Sequence, residues 1–486
     1  MSTEPKNTLR KNLSPAHVWA LAFGCIIGWG SFINPGKKFL PNSGVEGTAI
    51  AMILGALVMI IIACTYAYMV PKYPKAGGEF TFTKNCFGKV PAYICGWFLV
   101  AAYLTNVPMN STAIGLIVDG LDGSADILQW GFHYDIAGFD IWTGEMLLAM
   151  GILILFGLLN IWGVKKAGIV QTVLSVGLIL SIVTLTISAF ISDKVSFANM
   201  QPLWGFDKAD AINAGATVES ANEFAHVGRQ GILSAILATF AIAPWAFVGF
   251  DTIPQAAEEF NFSFRKVMKI MIVAIFFGAF VYIANNTVAA AAVKNWPERV
   301  MAGEWVLLVA AEEMLGVFGK VLIGMAVSCA VLSGIMGFYL ASSRLMYSMS
   351  RDGYLPAVFG KIDNRYGTPR NAMIFCILIS LSGPILGREA LGWFVDMSAI
   401  GASIGFLSTS MAAYVTMKKY NDGSFKLKIF SLLGAVFSAF FIVLQLIPIP
   451  GLVGVNFCME SYIMLAVWIF IGFIFFLQRR KYFMAR

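Results

Sequence analysis

Between residues 15 and 478 the sequence returns repeatedly to apolar runs of roughly 20 residues, each about the length that crosses a bilayer as a helix. No other feature limits the fold so severely. In hydrocarbon every backbone N–H and C=O must be satisfied within the chain, so runs of this length are helices packed on one another. Only 13% of the residues are charged and 58% are hydrophobic, whereas a soluble domain carries roughly a quarter charged residues.

Twelve runs are predicted, at 15–40, 46–70, 90–118, 141–163, 167–191, 231–257, 267–293, 318–348, 371–387, 391–417, 427–447 and 456–478. An even number places both termini on one side. With that side cytoplasmic, only nine of the 34 Lys and Arg fall opposite: Lys37, Lys38, Lys194, Lys208, Arg229, Lys294, Arg299, Lys320 and Arg388. This is the bias expected of short cytoplasmic loops. The loop at 119–140 agrees, with five aspartates and no basic residue. The expected protein is all-α and polytopic, in the cytoplasmic (plasma) membrane, with the lipid bilayer as its surroundings. The net charge of +7 belongs to this topology, not to a nucleic-acid partner. Nothing here fixes an oligomeric state.

The seven cysteines are scattered without a C-x-x-C pair, and the three histidines are not at helical spacing. A disulfide framework, a zinc site and an organic cofactor are all unexpected. The polar N-terminus leads into a full-length run, so no cleaved signal peptide is read. Residues 192–230 and 294–317 are longer outside segments, each suited to a partly helical cap.

Two runs are poor helices. The first contains 24-GCIIGWGSFINPG-36, and the sixth reads 240-FAIAPWAFVGFDTIPQAAEEF-260 with Pro244, Gly249 and Pro254. A G-x-x-x-G pair by itself means close helix packing, but packing requires neither Gly30 nor the Asn34-Pro35-Gly36 turn. Discontinuous helices at matching positions mark transporters built from two inverted repeats. With five helices per repeat, the second unit enters from the opposite side. The expected organisation is a cytoplasmic N-terminus at 1–14, a first repeat at 15–191, an extracellular loop at 192–230, a second repeat at 231–417, and two extra helices with a cytoplasmic C-terminus at 418–486. Each break leaves N–H groups at one edge and C=O groups at the other. A half-helix N-terminus favours an anion and a C-terminus a cation. Two such breaks side by side suit a small zwitterion, an amino acid or close relative.

The motifs resemble those of the amino acid–polyamine–organocation transporter superfamily. The stretch 24-GCIIGWGSF-32 is similar to its first-span pattern, and 74-PKAGGEFTF-82 to its cytoplasmic loop, with Phe80 and Phe82 where tyrosines are usual. The corner 160-NIWGVKKAGIVQ-171, the segment 256-AAEEFNFSFRK-266, and 343-SRLMYSMSRDGYLP-356 followed by 368-TPRNA-372 complete the likeness, in order, over ten runs. The resemblance implies a five-plus-five inverted-repeat permease working by alternating access. By position, Gly28 and the N–H groups of Trp29, Gly30 and Ser31 would hold a substrate carboxylate. Carbonyls of Ile26, Trp245, Ala246 and Val248 would take the ammonium. Trp245 matches an aromatic that gates the substrate from outside, and Phe250 is assigned to gating beside it.

Trp29 departs from the family, where a small residue sits between the two glycines; its indole either narrows the pocket or packs into a neighbour. Asp251, an ionisable residue within a membrane run, is a candidate for substrate binding or proton coupling, or else caps the inner half-helix. Some relatives carry a lysine in the fifth run facing the first break; here 171-QTVLSVGLILS-181 has none, and Gly177 falls near its place. A proton or sodium remains the expected coupling ion, with Ser328 and Ser333 as candidate sodium ligands against their back-bonding to the helix. Arg344, Arg351 and Asp352 are either positive-inside anchors or a cytoplasmic latch to Glu258 or Glu259.

An intramembrane enzyme is disfavoured. Tyr134-Asp135 lies in an outer loop, 249-GFD-251 lacks the second glycine of an aspartyl protease, and H-E-x-x-H and G-x-S-x-G are absent. An amine or polyamine held by Asp251 and aromatic rings, and a transport-inactive nutrient sensor, are the alternatives to an amino acid permease.

Overall fold

A computed structural model describes residues 9–122, 127–136, 139–217, 221, 231–388, 390–448, 456–479 and 482. Of the basic residues used for topology, Lys6, Arg229, Arg480, Lys481 and Arg486 lie outside the described residues, as do parts of the 1–14, 192–230 and 418–486 segments.

The chain is a helical membrane protein. Helix α1 (Pro15–Ile26) starts where the Ser14 hydroxyl accepts the His17 N–H, with proline at the first helical position, where its missing N–H costs nothing. After a break at Ile27–Trp29, α2 (Gly30–Lys72) runs on through a π-helical turn at Pro35–Phe39 and a reversal at Gly44. Then come α3 (Gly78–Phe87), α4 (Lys89–Asp122), a hairpin of β1 (His133–Ile136) and β2 (Phe139–Trp142), α5 (Thr143–Ile161), α6 (Val164–Ile191) and α7 (Lys208–Asn213). The hairpin pairs antiparallel, His133 opposite Trp142, inside the acidic loop that the sequence left without structure.

The sixth run is fragmented into α8 (Ile232–Phe240), α9 (Ala243–Ala246) and two 3-10 turns, Phe250–Thr252 and Pro254–Glu259. Beyond it lie α10 (Val267–Ala292), α11 (Trp296–Met301), α12 (Val306–Leu315), α13 (Val317–Arg351), α14 (Arg370–Ser380), α15 (Gly383–Leu386), α16 (Ala390–Tyr420), α17 (Phe425–Leu446) and α18 (Met459–Gln478). Among the described residues, nine helices are long and apolar enough to cross a membrane. The three predicted runs that contribute no separate long helix are the interrupted ones: the first, the sixth, and the ninth at α14–α15.

Burial separates centre from rim. In α4, α13 and α16, 72% of the apolar stretch is buried, against 28% in α6 and 11% in α18. The outer helices turn Val173, Leu180, Ile463 and Phe470 outward, as lipid-facing helices do. The centre is built on small residues: a Cβ on Gly401 would meet the Phe98 carbonyl at 2.3 Å, and one on Gly337 the Cys25 sulfur. Backbones approach closely there, as in membrane helix pairs generally.

Candidate functional site

The two interrupted helices meet at their breaks. Gly249 sits at φ 147°, and a Cβ on it would come within 2.7 Å of the Ile26 nitrogen and 2.8 Å of the Ala22 carbonyl oxygen. Only glycine combines that dihedral with that approach.

The backbone at this junction is incompletely paired. The Ser31 N–H and hydroxyl both donate to the Gly28 carbonyl, at 3.3 and 3.0 Å. Among the described residues, the N–H groups of Gly28 and Trp29 donate to nothing, and the Val248 carbonyl accepts nothing. The Trp245 carbonyl takes the Val248 N–H at 3.1 Å, and the Ile26 carbonyl takes the Tyr282 hydroxyl at 3.4 Å. The Asn285 amide supports the other edge by donating to the Ser31 carbonyl at 2.9 Å. Buried backbone groups are rarely left unpaired without a ligand or water to serve them.

The glycines of the opening motif divide by role. A Cβ on Gly24 would strike Gln171 and Ser333, so Gly24 lets α1 press on α6 and α13. A Cβ on Gly30 would lie 2.3 Å from Cη2 of Trp245, and one on Gly28 would lie 3.3 Å from Oδ1 of Asn110. Trp29 and Trp245 are 5% and 6% exposed, their rings 6.1 Å apart, and the Trp29 indole N–H has no partner. Both line a cavity of about 560 Å³ shared with Asn34, Lys37, Lys38, Arg388, Trp393 and Asp396. A second cavity of about 460 Å³ shares Lys37 and Arg388 with it. Arg388 there binds the carboxylates of Asp119 and Glu145, joining α4 and α5 to the start of α16.

The opposite end is closed. The Leu13 N–H donates to the Glu259 carbonyl at 2.9 Å, and the Asn261 N–H to the Leu13 carbonyl at 3.0 Å. Arg344 and Glu259 form an ion pair at 2.7 Å with both side chains fully buried. Arg351 binds Glu258 at 2.8 Å and Asp352 binds Lys84 at 2.7 Å. Both glutamates are therefore paired, Glu259 with Arg344 and Glu258 with Arg351, whereas Asp352 pairs with a lysine that the sequence did not suggest.

The remaining predicted residues are dispersed. Phe250 is buried in an aromatic cluster with Tyr66 and Phe406, on the C-terminal side of the break. Ala246 closes α9 and is buried. The Ser333 hydroxyl donates to its own helix at Ala330, 2.9 Å away, and lies 3.3 Å from the Gly24 carbonyl; Ser328 is only half-buried. On α6, Gln171 and Ser175 donate to the Ala20 carbonyl at 3.0 and 3.1 Å, while a Cβ on Gly177 would meet the Cys329 sulfur instead.

Asp251 does not stand alone. Its Oδ1 accepts the Gly249 N–H at 2.7 Å, a bond back to the residue that opens its 3-10 turn and not the expected cap on a following half-helix, and its Oδ2 lies 3.0 Å from the Tyr103 hydroxyl. That hydroxyl is also 3.2 Å from Oε1 of Glu79. Tyr66 donates to the same oxygen at 2.8 Å, and the Gln255 amide lies 2.6 Å from Oε2. All five residues are completely buried. Burial, then the Asp251 carboxylate, push the Glu79 carboxyl up to about 8. The glycines of 76-AGG-78 make this possible: Gly77 and Gly78 have positive φ, and a Cβ on Gly78 would lie 2.9 Å from the Gln255 amide nitrogen.

Glu79, Tyr66, Tyr103, Gln255 and Asn110 were not singled out in sequence. The only available signal was a carboxylate following the paired glycines of a recognised loop motif. Asn110 is 1% exposed, donates to the Asn106 carbonyl at 2.7 Å, and leaves Oδ1 without a partner beside Gly28.

A family model described as amino acid permease matches residues 13–476. The large neutral amino acids transporter small subunit 2 of Mus musculus is 26% identical over 375 residues, which cover 77% of this chain and 64% of that protein. The Asc-type amino acid transporter 1 of Mus musculus is 26% identical over 76% of this chain and 63% of its own length. The chain thus spans a little under two thirds of these two relatives. The branched-chain amino acid permease BcaP of Bacillus subtilis (strain 168) is 26% identical over 87% of this chain and 84% of its own length. With a match running from the segment before α1 to the last described helix, the chain belongs to the amino acid permease family.

Proposed function

We propose that this protein is a secondary active transporter that carries an amino acid across the plasma membrane by alternating access. The observation that carries the proposal is the junction of the two breaks, where Gly249 presses on Ile26 while the N–H groups of Gly28 and Trp29 and the Val248 carbonyl are unpaired. Unpaired donors beside an unpaired acceptor complement a carboxylate and an ammonium on one carbon.

In this proposal the chain crosses the membrane twelve times, counting the interrupted helices, with both termini cytoplasmic. Residues 15–191 and 231–417 are the inverted repeats, and 418–486 the appended helices. The substrate carboxylate lies on Gly28, Trp29 and Gly30, with Ser31 shaping the turn; its ammonium lies on carbonyls of the Ile26 and Trp245–Val248 segments. Trp245 closes the site from the cavity side, which is extracellular, and the Arg344–Glu259 pair holds the cytoplasmic side shut. The arrangement described is then the outward-facing, nearly occluded state. The two oxygens of Asp251 already accept from Gly249 and Tyr103, which supports an amino acid over an amine that would require that carboxylate.

Uptake into proteoliposomes across a panel of amino acids and amines tests the proposal. Saturable, competable flux of at least one amino acid is expected. A reconstituted protein that binds amino acids but never moves them, under proton, sodium and exchange conditions alike, would instead be a sensor.

A further inference from the structure

The cluster around Glu79 has too few hydrogens for its acceptors. Tyr103 carries one hydroxyl hydrogen, yet its oxygen lies within reach of Oε1 of Glu79, Oδ2 of Asp251 and the Asp251 carbonyl, at 3.2, 3.0 and 3.2 Å. No Lys or Arg pairs with either carboxylate among the described residues; Arg344, the buried cation at this end, is bound to Glu259. Two unpaired buried charges would be prohibitively costly, and two carboxylates sharing a dry site hold a proton between them.

An independent observation points to the same occupant. The Gln255 side chain is completely buried, its Oε1 has no partner, and its amide approaches Oε2 of Glu79 to 2.6 Å. Such a separation is short for N–H···O and ordinary for O–H···O. A half-turn of the amide places Oε1 there, where a protonated Glu79 would donate to it, and leaves the same atom 3.3 Å from the Tyr103 hydroxyl. A metal ion suits the cluster less, because the hydroxyl hydrogen of Tyr66 already points at Oε1 of Glu79.

We propose that Glu79, Tyr103 and Asp251 form a proton-binding site that holds one proton between the two carboxylates, and that this proton is the coupling ion. The coupling half rests on the transport proposal above. The proton moves without net charge on the tyrosine: with the Glu79 proton transferred from Oε2 to Oε1 by rotation of the carboxyl group, Oε1 gives it to the Tyr103 oxygen while the Tyr103 hydroxyl hydrogen passes to Oδ2 of Asp251. Glu79 ends ionised, Asp251 neutral and Tyr103 unchanged. Because Asp251 also accepts the Gly249 N–H, its protonation alters the glycine that seats the two breaks together. The ionisable groups facing the pair are Tyr66 on α2, Tyr103 and Cys95 on α4, and Cys25 on α1. α13 contributes the paired Arg344.

Infrared spectroscopy of the full-length protein in detergent tests the site without requiring transport. At neutral pH a carboxylic acid C=O band is expected that E79Q removes, that titrates away in mild alkali, and that Tyr103→Phe shifts. D251N, which acts from the other carboxylate, should move the same band and serves if E79Q does not fold. A band untouched by both neutralising variants overturns the site, as does a band that sodium removes at constant pH. Proteoliposomes test coupling: an inward pH gradient of about one unit should drive about tenfold accumulation at one proton per substrate, with matching acidification of the lumen. E79Q should lose both while keeping counterflow exchange. Wild-type exchange without proton movement overturns the coupling, whereas absence of all flux with the band intact overturns the transport proposal and leaves the proton site standing.

Discussion

Gly249 and Ile26 are in backbone contact: any side chain at 249 would drive a carbon to within 2.7 Å of the Ile26 nitrogen. Gly249→Ala should therefore separate the breaks or unfold the site. Strain at the positive φ alone is about 1–3 kcal/mol, so a lowered melting temperature and loss of substrate-induced stabilisation are expected in thermal-shift assays. Wild-type substrate affinity in this variant would mean that the breaks need not touch.

Gly30→Val should abolish binding, since its Cβ would occupy the place of the Trp245 indole edge. The cause can be separated from general damage. Adding Trp245→Ala should restore part of the binding in the double variant, by removing the ring that the new valine side chain displaces. Two losses that simply add in a double-mutant cycle would argue against this clash.

Asn110 presents an unpartnered, buried Oδ1 to the break. Asn110→Ala should weaken substrate binding by about 1.5–3 kcal/mol if that oxygen accepts from the ammonium. Calorimetric titration with the transported amino acid is the measurement. An unchanged Kd would assign the orphan acceptor to water.

Glu79 makes stability pH-dependent. Its folded-state value of about 8 lies above the unfolded value near 4.3, so the folded protein retains a proton that the unfolded chain releases between them. Stability then falls as pH rises from about 4.3 to about 8 and levels off above that. The melting temperature of detergent-solubilised protein should drop between about pH 5 and pH 8 and level off by pH 9, and E79Q should flatten that drop.

The Arg344–Glu259 pair holds the Leu13 segment against the end of the sixth run. Glu259→Gln would strand a buried guanidinium, a loss of about 3–5 kcal/mol. Leu13→Cys, at a site only 2% exposed, should resist a membrane-impermeant maleimide alone and react when combined with Glu259→Gln. Equal protection in both backgrounds would make the pair an anchor and not a latch.

Much of the fold was legible because bilayer thickness sets a length that composition reports directly. The breaks in the first and sixth runs were legible too, since clustered glycines and Pro244 disfavour continuous helix for local reasons, but the expected turn at Asn34-Pro35-Gly36 is helical and the interruption of the ninth run was not read. What escaped was tertiary. The G-x-x-x-G pattern could not say that Gly24 packs against Gln171 while Gly30 faces Trp245, because both readings need the same residue. Asp251 was visible as a costly charge, but Glu79 was hidden in a loop motif whose glycines carry it inward to meet that charge. The hairpin at His133–Trp142 was masked by an acidic composition that resembles an unstructured loop.

The Gly44 reversal has a mechanical consequence. Segment 203–206 is bolted across it, with the Glu46 N–H donating to the Leu203 carbonyl at 3.0 Å and the Phe206 N–H to the Pro41 carbonyl at 2.7 Å. The same strap reaches α10 and α11: Asn199 donates to the Ala291 carbonyl at 2.9 Å, and Phe206 stacks on Trp296 at 5.3 Å. The far end of the first break and the far end of α10 are thus yoked by one surface loop. In the proposed alternating-access cycle, rocking of one would drag the other, so a binder held on this loop should slow transport without entering the membrane.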